Sequence, residues 1–78
     1  MKKKIEVAIL SDVDRDIIYA ELSSDKEQFA EVTQDEDGSL SIAIHPAQSG
    51  EPQRFDLNEL EKALAETRTR FQKLDQPQ

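Results

Sequence analysis

The stretch FDLNELEKALAETRTRFQKL, residues 55–74, decides how the rest of the chain must be arranged. Asp56 suits a helix N-cap, because its carboxylate accepts hydrogen bonds from backbone N–H groups that have no partner within the first turn. Glu59 follows three residues later and completes a capping-box pattern, and Phe55 is placed to staple onto Leu60. Leu57, Leu60, Leu64, Thr67, Phe71 and Leu74 then recur at steps of three and four, which gathers them on one stripe. Glu59, Glu61 and Glu66 come early and Arg68, Arg70 and Lys73 late, in the order the helix dipole favours. The spacing predicts a helix over about 57–74, with 75–78 as a frayed tail. One apolar stripe needs one apolar surface to cover.

The residues before it supply that surface. Ile5, Val7 and Ile9 alternate with Glu6, Ala8 and Leu10, a strand pattern over about 3–10. Ser11 to Asp16 is a polar break with three aspartates. Residues 17–22 form a second strand, with Ile18, Ala20 and Leu22 on one face and Ile17, Tyr19 and Glu21 on the other. Residues 28–34 form a third, with Ala30 and Val32 opposed to Phe29, Glu31 and Thr33. Asp37-Gly38 marks a tight hairpin, because glycine accepts a positive φ without a Cβ clash. The fourth strand, about 39–45, sets Leu40, Ile42 and Ile44 against Ser41, Ala43 and His45, and Pro46 ends it for want of an N–H. A loop with Gly50 and Pro52 leads to the helix.

The predicted fold is α+β: a four-stranded antiparallel meander with one C-terminal amphipathic helix on one face, in a single domain of 78 residues. The expected core is Ile5, Val7, Ile9, Ile18, Leu22, Val32, Leu40, Ile42 and Ile44 against Leu60, Leu64 and Phe71. A register that exchanges the faces of the second or third strand fits the same pattern.

Charge divides the chain. Residues 5–51 hold twelve acids and two bases, Arg15 and Lys26, whereas residues 52–78 balance five against five; with three lysines at 2–4 the net charge is −7. The negative charge therefore lies on the sheet. It disfavours nucleic acid and anionic membrane as partners and favours a basic protein. No apolar run approaches a bilayer span, Met1 to Lys4 reads as a solvated lead-in rather than a signal peptide, and there is no cysteine. A cytosolic location is expected.

Motifs for chemistry are lacking. Asp12-x-Asp14-x-Asp16 opens like a calcium loop, but Ile17 stands where glycine is needed and Ser23 where a bidentate glutamate is needed. His45 is the sole histidine, the serines sit in no nucleophile turn, and two glycines make no phosphate cradle. No catalytic residue, metal site or cofactor is expected, and the chain reads as a non-enzyme. The outer sheet face is the better candidate. It combines Tyr19 and Phe29 as aromatic anchors with Glu21 and Glu31, next to the acidic hairpin Asp35, Glu36 and Asp37.

The succession of acidic hairpins, then Asp37-Gly38, then Phe55-Asp56-Leu57 opening a charged helix, resembles the layout of small immunity proteins of bacterial toxin–immunity systems. The resemblance implies a cytosolic inhibitor that binds and blocks a cognate toxin. It carries no residue-level motif, so no functional residue transfers. The alternative reading is a structural homodimer or small regulatory subunit, with the outer face or a strand edge as the self-interface.

Overall fold

A computed structural model describes residues 4–75, with side chains through residue 74. It has the expected α+β architecture. Strands β1 (Ile5–Asp12), β2 (Ile17–Ser24), β3 (Glu27–Gln34) and β4 (Leu40–Ile44) form one antiparallel sheet in the order β1-β2-β3-β4, followed by helix α1 (Leu57–Asp75). The lead-in at residues 1–3 and the tail at 76–78 lie outside the described residues; residue 75, expected to fray, is still helical.

Three connections set the register. Asp12 closes the first, its carboxylate accepting from the backbone N–H groups of Asp14 and Arg15, while Asp16 takes a positive φ of 55°. The second is a two-residue turn, Asp25-Lys26, with φ of 52° and 68°; both central residues of such a hairpin must be left-handed to match the strand twist. The third is wider than the tight hairpin that Asp37-Gly38 announces. Gly38 N–H donates to the Asp35 carbonyl, Asp35 N–H to the Ser39 carbonyl, and Gly38 has φ 91°. The Asp37 side chain accepts from Ser39 N–H, which lowers its pKa.

Pairing puts Ile5, Val7, Ile9, Ile18, Ala20, Leu22, Ala30, Val32, Leu40, Ile42 and Ile44 on one side of the sheet, as the alternation predicts. One residue breaks the pattern. Between Leu22 and Ser23 the register shifts: Leu22 faces Ala30, but Ser23 faces Gln28, so Phe29 is an extra residue on β3. A bulge of this kind lets two successive side chains share a face. Phe29 and Ala30 are accordingly both buried, and the Phe29 ring lies 4.2 Å from that of Phe55, tilted by 31°. The expectation that Phe29 stands on the outer face is thus overturned by a single inserted residue.

Asp56 caps α1: its carboxylate accepts from Glu59 N–H at 3.1 Å, and its carbonyl accepts from Leu60 N–H. The Glu59 carboxylate lies 3.9 Å from Lys62. Asp56→Ala is expected to cost about 1 kcal/mol and to lower the melting temperature by roughly 4–8 °C, read from thermal unfolding.

The helix does not lie as the leucine stripe suggests. Ala63, Thr67 and Phe71 are buried and Leu60 is half-buried, while Leu57, Leu64 and Leu74 are exposed. The small residues at the centre of this stripe allow close approach, and the Thr67 hydroxyl is satisfied by donating to the Ala63 carbonyl at 2.8 Å. The helix packs on β1, where Arg70 reaches across to donate to the Val7 carbonyl at 3.0 Å. The core is Ile5, Ala20, Leu22, Phe29, Ala30, Val32, Ala63 and Phe71, with Val7, Ile9, Leu40, Phe55 and Leu60 against it. Ile42 and Ile44 share the inner face but remain exposed, because the helix sits towards β1 and leaves β4 bare; Ile18, opposite Ser11 at the end of the first hairpin, is exposed as well.

Candidate functional site

The other side of the sheet carries no helix. Cross-strand pairing arranges it in rows: Leu10, Tyr19, Thr33 and Ser41 in one, Ala8, Glu21, Glu31 and Ala43 in the next. Tyr19, Glu21 and Glu31 thus stand together, as the alternation of β2 and β3 predicts.

Two features give this face its electrostatics. The meander brings the β1–β2 turn and the β3–β4 loop to the same end of the sheet, so Asp12, Asp14 and Asp16 lie at one end with Asp35, Glu36 and Asp37. Arg15 is the one cation in these two connections. Its Nε lies 2.6 Å from the Asp12 carboxylate, its guanidinium sits 5.6 Å from the Tyr19 ring centre, and its Nη2 reaches to 3.8 Å from Glu31. The hydrogen bond from the Arg15 side chain holds the Asp12 carboxyl below its usual pKa, and the same bond raises that of Arg15. Since the Asp12 pKa is depressed, its support for the turn is present above the ordinary aspartate pKa and fades as pH falls through the lowered value.

Glu21 and Glu31 face each other directly across β2 and β3. Like charges in that position destabilise a sheet. Of the two glutamates Arg15 reaches only Glu31; no ion pair among the described residues neutralises Glu21.

Of the residues that the sequence marks for binding, Tyr19, Glu21 and Glu31 share the open face, and Asp35, Glu36 and Asp37 rim its end. Phe29 does not belong, being core. Sequence reasoning missed Arg15, which looks like an ordinary turn cation until the hairpin folds it over Tyr19. It also missed Leu10, which the β1 alternation places beside Tyr19. No group of histidine, cysteine or carboxylate side chains among the described residues has metal-site geometry, and no helix among them is long and apolar enough to cross a membrane. No family model, curated protein or solved structure matches this chain.

Proposed function

We propose that the chain is a non-catalytic acidic module of the cytoplasm that docks a basic surface of another protein, as an immunity protein does when it blocks a toxin. The observation that carries this reading is the Glu21–Glu31 pair on the open face beside Tyr19. A like-charge pair weakens the free protein and becomes favourable when a partner inserts a cation between the two carboxylates. Tyr19 supplies the aromatic anchor, with its ring already held by Arg15. The acids at the sheet end extend the negative field, which speeds encounter with a basic partner. Nucleic acid and anionic lipid are disfavoured by the same field.

Glu21→Lys tests both halves of the argument. A lysine opposite Glu31 replaces repulsion with attraction, so the variant should be more stable by about 0.2–1 kcal/mol. It should also lose the basic protein that the wild-type chain captures from its own host, and capture by the wild type should weaken as salt rises. A variant no more stable than wild type would remove the strain argument. Capture unaffected by the reversal would place the binding surface elsewhere.

A further inference from the structure

The two edges of the sheet are built differently. At β1 the helix packs alongside, Arg70 occupies the Val7 carbonyl, and the strand carries Glu6 and Asp12. Charged side chains and a covering element are the usual means of closing a sheet edge. At β4 the sequence Leu-Ser-Ile-Ala-Ile has no charge, in a chain of which 35% of residues are charged. Among the described residues no strand pairs with β4 on that side.

The ladder phase shows what this edge presents. His45 N–H donates to the Phe29 carbonyl and Asp35 N–H to the Ser39 carbonyl, while Ala30 faces Ile44 and Gln34 faces Leu40. These bonds flank non-hydrogen-bonded pairs, so Leu40, Ile42 and Ile44 turn their N–H and C=O groups away from β3. The same three residues hold their side chains on the inner face. There Ile42 and Ile44, 44% and 66% exposed, line a largely apolar groove with Leu60 and Leu64 of the helix and with the loop that joins β4 to it.

We infer that β4 pairs with β4 of a second copy of this chain, antiparallel about a twofold axis at Ile42, giving one continuous eight-stranded sheet. The strand is self-complementary in that register. Ile42 meets Ile42, Leu40 meets Ile44, and each facing pair exchanges two ladder bonds through the groups already turned outward. Ser41 and Ala43 meet on the outer face, where neither clashes nor carries charge. An axis perpendicular to the sheet keeps both helices on one side. The two grooves therefore merge, and each copy's Ile42 and Ile44 cover the other's. Each copy carries a charge of −7, so association of two copies is tolerable only along an uncharged strip, and β4 is that strip. With β1 closed, addition stops at two. This pairing leaves the Tyr19 face open, so it stands or falls independently of the partner reading above.

Sedimentation equilibrium across the micromolar range tests it. The wild-type chain should run as a monomer–dimer equilibrium that shifts towards dimer as salt screens the repulsion, the reverse of capture of a basic partner. Ile42→Pro removes the outward N–H at the centre of the pairing, yet suits an edge position whose N–H does not face β3. It should be monomeric throughout, with the circular dichroism of wild type. If that variant fails to fold, Ile44→Lys, at an exposed inner-face position, reads the same interface. In a mixed sample of labelled and unlabelled wild-type chains, an intermolecular Hα–Hα contact between Ser41 and Ala43 should appear. A wild type monomeric at every concentration, assemblies larger than two, a folded variant that still dimerises, or intermolecular contacts from Tyr19 instead of Ser41 would each overturn the inference.

Discussion

Phe29→Ala is expected to remove a large share of the stability of this protein. The ring is 5% exposed and stacks on Phe55, so its loss opens a cavity where β3 meets the chain that leads into the helix. Truncating a buried phenylalanine costs about 3–5 kcal/mol. A chain of this size holds roughly 4–12 kcal/mol in total. The melting temperature should fall by at least about 12 °C, measured by circular dichroism. The experiment separates two accounts of one residue. As a surface anchor, Phe29 would change stability by no more than about 0.5 kcal/mol when truncated. Tyr19→Ala supplies the contrast: a modest loss of stability with the loss of partner capture.

Phe71→Ala should be as severe. Phe71 is the helix's one aromatic residue, 2% exposed, and together with the small residues Ala63 and Thr67 it forms the buried part of the contact with the sheet. Its removal costs about 3–5 kcal/mol and should release the helix, because a helix of this length with a balanced, polar sequence is marginal without a packed face. Helical and near-ultraviolet signals should be lost together in a urea titration, at a midpoint far below wild type. Leu57→Ala, at a position 67% exposed, should leave the midpoint nearly unchanged. An equal effect at the two positions would mean that the helix docks through its leucines and not through the stripe seen here.

That contrast shows what was legible in the sequence. The elements and their order follow from local rules: alternation for the strands, Asp56 for the helix start, Pro46 for the end of the last strand. The inner faces of β1, β2 and β4 follow from the same alternation. Phe29 does not, because a bulge adds a residue without altering composition, and hydrophobic alternation reads straight through it. The turn that adjoins it falls in the polar run 23–27, where composition marks a turn but not its geometry. Asp25 and Lys26 both adopt left-handed φ with no glycine present, so the pairing of β2 with β3 imposes the turn against local preference. The helix rotation was hidden for a related reason. Leucines at 57, 64 and 74 outweigh Ala63 and Thr67 in any count of apolarity, yet the smaller residues bring the helix close to β1. On the open face, Tyr19, Glu21 and Glu31 were readable from period two alone. The position of Arg15 over Tyr19 needed the turn geometry that Asp12 imposes.

The packing of α1 on β1 also governs how this polypeptide can be made. The three hairpins join neighbours in the chain and each closes a short loop. The contact from Arg70 to Val7 spans 63 residues and closes a far larger one, so it is the costlier contact to form early. A chain emerging amino end first can pair its strands long before Phe71 exists. Until then Ile5, Leu22 and Val32 form an uncovered apolar face, the kind of surface that recruits chaperones or other nascent chains. The acids along the turns keep such intermediates apart by repulsion. The negative charge of the turns thus also guards the chain during the interval before its helix arrives.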